Sequence, residues 1–201
     1  MSNIYLVRHG ETLWNSTMRF QGFSDISLSD KGMAQAEKLS EKMKTKKISA
    51  IYSSDLKRAV ETAECVANVH GLDVNIVPDL KEMCFGEWEG HTKEQIDKIS
   101  PDQVELFFKN PDKIEPPQGE TFTKVQKRVC AAFYDIAKKH EDDDIMIVSH
   151  GGSIRTVIAD ILGMHLSTVW RIRQDNTAFN VINSYKDYFI ISLLNDISHL
   201  K

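Results

Sequence analysis

The chain alternates short, almost wholly apolar runs with longer amphipathic stretches, and that alternation limits it to a sheet layered with helices. Ile4-Tyr5-Leu6-Val7 and Ile145-Met146-Ile147-Val148 are apolar without interruption, as parallel strands are when both faces are covered. Shorter strands are expected at residues 50–52 and 74–77. Between them lie helical patterns. One opens at Ser29-Asp30 and carries Ala36, Leu39 and Met43. A second, over residues 55–69, carries Leu56, Ala59, Ala63 and Val66 and stops at Gly71. Two more are expected over residues 121–140 and 153–162. Apolar stretches at 179–182 and 188–194, around a polar turn at 184–187, read as closing strands. The sum is an α/β fold with a mostly parallel central sheet and helices on both faces. At 201 residues the expectation is one domain, 1–201, with a small helical or loop insertion at about 91–120, where Pro101, Pro111, Pro116 and Pro117 break any long helix.

Composition excludes several partners. The net charge is −4 and no basic run occurs, which argues against nucleic acid or an acidic membrane surface. No apolar run approaches spanning length. The three cysteines are scattered without metal-ligand spacing, as in a reduced cytoplasmic protein. The acidic run Glu141-Asp142-Asp143-Asp144 reads as a solvated turn before a strand and not as a metal site.

The chemistry is concentrated in the loops that leave the strands. Loops after parallel strands share one edge of the sheet, where ligands of such folds bind. The first strand runs into Arg8-His9, the second is followed by Ser54-Asp55 and Arg58, the third by Glu82, and the fourth by His150-Gly151-Gly152. Two arginines and a glycine-rich helix start describe an anion site, because a guanidinium fork and free backbone N–H groups both match phosphate oxygens. A neutral imidazole there can attack phosphorus and form a phosphohistidine. A protonated His150 would add a donor. A carboxylic acid must protonate the departing alkoxide. Glu82 is the candidate, with Asp79, Glu87 and Glu89 as neighbouring alternatives.

Four ordered blocks resemble the phosphoglycerate mutase-like branch of the histidine phosphatase superfamily. They are Arg8-His9-Gly10-Glu11-Thr12 with Asn15, Gln21-Gly22, Ser54-Asp55-Leu56 with Arg58-Ala59 and Thr62-Ala63, and Ser149-His150-Gly151-Gly152. The resemblance implies a three-layer α/β/α sandwich, no metal and no cofactor. It implies His9 as the phosphorylated nucleophile, Arg8, Arg58 and His150 as the phosphate pocket, and Glu82 as the proton donor. Asn15, Gln21, Gly22 and the Gly151 backbone are implied as further substrate contacts. Glu82-Met83-Cys84-Phe85-Gly86-Glu87-Trp88-Glu89-Gly90 is similar to a stretch of small phosphatases such as α-ribazole-phosphate phosphatases. The expected activity is hydrolysis of a small phosphorylated metabolite. A cofactor-dependent phosphoglycerate mutase is the alternative, and a non-catalytic phosphate binder ranks third. Selectivity is expected in residues 87–118, and the closing strands offer an edge at which a homodimer could pair.

Overall fold

The two uninterrupted apolar runs become neighbouring strands in the middle of the sheet. The computed structural model describes residues 1–186 and 188–201. Six strands pair in the order β3-β2-β4-β1-β5-β6: β1 Ser2–Arg8, β2 Ile48–Ser53, β3 Val74–Ile76, β4 Asp144–Ser149, β5 Phe179–Tyr185 and β6 Tyr188–Asp196. The pairs β1–β4, β4–β2 and β2–β3 are parallel, whereas β5 and β6 are antiparallel additions beside β1. Asp187, in the turn expected between the closing strands, lies outside the described residues.

Alternation along β1 explains why a run with no polar gap is needed there. Ile4 and Leu6 point to one apolar layer, and Tyr5 and Val7 point to the other. The first layer is completed by α6, Phe122–Lys139, and α7, Gly151–Ile161, through Val125, Val129, Phe133, Val157 and Ile158. The second is completed by α2, Asp30–Met43, and α3, Lys57–His70, through Leu39, Met43, Ala59, Ala63 and Val66. The result is the helix–sheet–helix sandwich.

Local chemistry sets the helix limits. The Ser29 hydroxyl accepts the Gly32 amide at 3.1 Å and caps α2. Gly71, at φ 66°, ends α3 in the left-handed conformation that glycine adopts without strain. Three short helices precede or interrupt the expected loops: α1 Leu13–Ser16, α4 Lys93–Ile99 and α5 Gln103–Lys109. The first is a single turn closed by a Thr12–Asn15 capping box. The helix expected from Ser153 begins two residues earlier, at Gly151, for a reason found in the site. Among the described residues no helix is long and apolar enough to cross a membrane.

Candidate active site

The parallel pairing brings the ends of β1, β4 and β2 together. Arg8 is in register with Ser149, and Val7 with Val148, which is also in register with Ser53. The residues just beyond these positions, His9, His150 and Ser54, therefore meet without any long-range coincidence. They border a cavity of about 160 Å³ lined by Arg8, His9, Asn15, Gln21, Gly22, Arg58, Glu82 and Gly151, together with Arg19, Phe20, Phe85, Gly152, Arg155 and Trp170. Eight of the nine residues expected at the site line this space. The ninth, His150, is fully buried just behind it.

His9 is 3 % exposed. Its Nδ1 sits 2.7 Å from the Gly10 carbonyl, which can only accept. Nδ1 therefore carries the proton, and the neutral ring presents its Nε2 lone pair. Burial is the largest influence on this imidazole, followed by Arg58 and Arg8, and together they hold its pKa well below the usual histidine value. The unprotonated ring is thus the resting form at neutral pH.

His150 lies with its ring centroid 5.1 Å from that of His9. Burial first, then Arg58, His9 and Arg8, hold its pKa well below the ordinary value as well. The expectation of a protonated His150 is therefore corrected: a second cation beside two buried arginines is disfavoured. The ring can still donate while neutral. Its Nε2 lies 2.7 Å from Ser54 Oγ, which itself accepts the Leu56 amide at 3.4 Å. A hydroxyl that accepts from that amide spends its one proton on Nε2, which leaves the proton of the imidazole on Nδ1. That nitrogen is buried and has no partner in the protein, so it is a donor waiting for an acceptor.

Arg58, on the first turn of α3, is fully buried. Its terminal nitrogens donate to Ser24 O and Gly22 O, each at 2.8 Å, and its Nε has no partner. Burial lowers its pKa to about 10, so it remains a cation at neutral pH. Arg8 donates to Gln174 O at 2.6 Å, and its buried Nε is likewise unpartnered. Gly22 is at φ 52°, and a Cβ there would lie 2.0 Å from Glu89 Oε1, so glycine alone allows the loop that receives Arg58.

Glu82 explains the early start of α7. Its Oε2 accepts the Gly152 amide at 3.0 Å, and its Oε1 accepts those of Ser153 at 3.1 Å and Met83 at 3.0 Å. His150 supplies no side-chain cap, so a carboxylate from a distant loop caps the helix instead. Gly152 has to be glycine, because a Cβ would meet Glu82 Oε1 at 2.5 Å. Of the first three amides of α7, only Gly151 is left free by Glu82. The glycine turn is therefore a smaller anion cradle than expected from a helix start.

The loop carrying Glu82 is itself clamped. Arg128 on α6 donates to the carbonyls of Asp79, Lys81 and Glu82 and pairs with Glu120, whose Oε2 also accepts the Cys84 amide. The alternative carboxylates fall away on position. Glu89 accepts the amides of Phe23, Ser24 and Phe85, and Glu87 accepts from Gln118. Among the described residues Glu82 is the one carboxylate lining the cavity. Asn15 Oδ1 accepts the Thr12 amide at 3.0 Å, which leaves its NH₂ group for a ligand. Gln21 Oε1 lies 3.0 Å from the Thr12 hydroxyl.

Two cavity arginines were not expected as site residues, Arg19 and Arg155. Arg155 follows Gly151 at helical spacing, a signal visible only once α7 is known to begin there. The expectation that residues 87–118 control selectivity is corrected, since none of them lines the cavity. Trp88 and Phe107 pack edge to face at 5.6 Å, and Phe108 lies 4.9 Å from Trp170, so this stretch buttresses the wall from behind. Asp144, from the acidic run, is engaged by Asn3. Among the described residues no three His, Cys, Asp or Glu side chains are grouped as metal ligands would be.

Comparisons with known proteins agree with this geometry. Residues 4–197 match the histidine phosphatase superfamily (branch 1). Phosphoglycerate mutase-like protein 4 of Arabidopsis thaliana is 37% identical over 204 residues, covering 100% of this chain and 87% of that protein. Phosphoserine phosphatase 1 of Hydrogenobacter thermophilus is 32% identical, covering 100% of this chain and 95% of the relative. Among solved structures, YhfR of Bacillus stearothermophilus superposes with a TM-score of 0.95 at 32% identity, covering 100% of both chains.

Proposed function

We infer, because this chain belongs to the histidine phosphatase superfamily (branch 1), that it is a phosphoric monoester hydrolase acting on small phosphomonoesters through a phosphohistidine on His9. The observation that carries this reading is the His9 ring. Its Nδ1 proton is committed to Gly10 O, and its Nε2 is left free among Arg8, Arg58 and the one lining carboxylate.

In the first half-reaction Nε2 attacks phosphorus in line with the ester oxygen. The P–O bond breaks, its electron pair stays on the departing oxygen, and Glu82 delivers a proton there. Arg8, Arg58 and the neutral Nδ1–H of His150 hold the equatorial oxygens, with Asn15, Gln21 and the Gly22 and Gly151 backbone around them. In the second half-reaction water attacks phosphorus, Glu82 takes back a proton, and the P–N bond breaks to restore His9 and release phosphate. No step calls for a metal.

Hydrolysis is favoured over phosphoryl transfer to a second substrate because no residue of 87–118 lines the cavity, so that stretch does not seal it against water. The volume, about 160 Å³, is small beside the roughly 300 Å³ and upward of drug-sized ligand sites, which suits a short ester. Phosphoserine, the substrate in the name of one relative, fits that size class. The reduced cysteines suit a cytoplasmic enzyme.

The test is an assay in chelator. The chain should release phosphate from p-nitrophenyl phosphate and phosphoserine in EDTA. It should fail to interconvert 3- and 2-phosphoglycerate when primed with the bisphosphate. Isomerisation without phosphate release would make it a mutase, and binding without turnover would make it a phosphate-binding module.

A further inference from the structure

Hydrolysis at His9 leaves one cavity guanidinium without a task. Arg155 is fixed in two ways: its Nε donates to Ile172 O at 2.7 Å, and its guanidinium carbon lies 5.3 Å from the centre of the Trp170 ring. Among the described residues its two terminal nitrogens have no hydrogen-bond partner and no carboxylate at ion-pair distance. Glu82 and Asp175 are the carboxylates whose fields reach it, and both are already engaged. Glu82 holds the start of α7, and Asp175 is held by Arg173 and Asn195.

Arg155 also sits beside a like charge. A Cβ on Gly151 would meet Arg155 NH1 at 2.9 Å and Arg8 Nε at 3.5 Å, so the two guanidinium groups flank the same point. Burial and Arg8 lower the Arg155 pKa to about 10, which keeps it cationic at neutral pH. Two largely desolvated cations side by side are costly until an anion joins them. The phosphoryl oxygens already face Arg8, Arg58 and His150. Beyond them the cavity continues between Arg155, Trp170, Phe85 and Phe20.

We propose that Arg155 is a specificity-determining residue: its fork receives a carboxylate on the organic half of the substrate, while the phosphoryl group of the same molecule sits on His9. The substrate class is then short phosphomonoesters with a carboxylate a few bonds from the ester oxygen. A planar guanidinium with both outer nitrogens free matches a carboxylate in bidentate fashion. A cavity of about 160 Å³ leaves room for few atoms besides the phosphoryl group, so the two anionic groups must be close together. The proposal rests on the phosphatase reading of the same cavity.

The test compares O-phosphoserine with O-phosphoethanolamine, which lacks only the carboxylate. The full-length protein should favour phosphoserine in kcat/KM by about 30-fold or more, the scale of one desolvated charge pair. Arg155→Gln should bring that ratio near one, mainly through KM, and Arg155→Lys should retain part of it. A ratio near one in the wild-type protein overturns the proposal, as does a ratio unchanged by Arg155→Gln. Equal losses on both esters would assign Arg155 to the phosphoryl group instead. If Arg155→Gln does not fold, the wild-type ratio and Arg155→Lys decide. Activity on p-nitrophenyl phosphate without carboxylate preference removes this inference alone. Inertness on every ester removes the phosphatase reading beneath it.

Discussion

The floor and the wall of the cavity are built by different rules. The floor, His9, Arg8 and His150, projects from the ends of β1 and β4, whose adjacency follows from the parallel sheet. The wall, Arg19, Phe20, Phe85, Arg155 and Trp170, comes from segments far apart in the chain and joined by packing. Phe20 meets Phe85 at 5.0 Å, and Phe122 meets Trp170 at 5.4 Å. A floor set by backbone hydrogen bonds keeps the reacting atoms in place. A wall made of side chains can change without disturbing them. Chemistry should therefore reside in the floor and selectivity in the wall.

The sharpest way to break that division is at the nucleophile. His9→Ala should reduce turnover of every ester by at least about 10⁴-fold, the scale of removing a covalent catalyst, while circular dichroism stays native. Near-normal rates would rule out His9 as the nucleophile. Arg58→Ala should cost about two to three orders of magnitude in kcat, as losing one preorganised charge-stabilising donor does. It should also cost roughly 1–3 kcal/mol of stability, because the buried carbonyls of Gly22 and Ser24 lose their donor. An effect confined to KM would show that Arg58 belongs functionally with the wall.

Glu82→Gln gives a smaller and more selective effect. Alkyl esters should slow much more than aryl esters, since aryl oxides leave without a proton. The amide NH₂ would also face a backbone N–H at the start of α7, so thermal stability should fall as well. Equal losses on both ester types would point to another acid.

The smallest expected effect is on acid stability. The unfolded imidazoles of His9 and His150 bind protons near pH 6.5, whereas the folded ones, held well below that value, stay neutral. The unfolded state then binds more protons, so stability rises with pH up to about 6.5 and is flat above it with respect to these groups. Down to pH 5 the penalty is up to about 2 kcal/mol per imidazole. His150→Asn should flatten the melting-temperature profile between pH 5 and 7. An unchanged profile would mean that His150 is charged in the fold.

The same contrast explains what was legible in the sequence. Ile4-Tyr5-Leu6-Val7 and Ile145-Met146-Ile147-Val148 imply both-face burial, and burial of both faces implies neighbours in mid-sheet, so His9 and His150 could be brought together in advance. The charge state of His150 could not, because it depends on burial behind the cavity and on the Ser54 contact. Nor could the cap of α7, since Glu82 lies 70 positions from Gly152 and competes for amides that a local reading gives to phosphate. Arg155 escaped notice because one arginine on an amphipathic helix looks like a surface charge. Its meaning comes from Trp170 and Ile172, which only tertiary packing delivers.

The mechanism turns on a covalent phosphoryl group at one ring nitrogen. Rapid quenching during steady turnover of ³²P-labelled ester, followed by peptide mapping, tests it most directly. The predicted result is an acid-labile, base-stable label on the peptide carrying His9, present in EDTA and absent from His9→Ala. Label on a serine or cysteine, or full turnover with no trapped label under any quench, would contradict it.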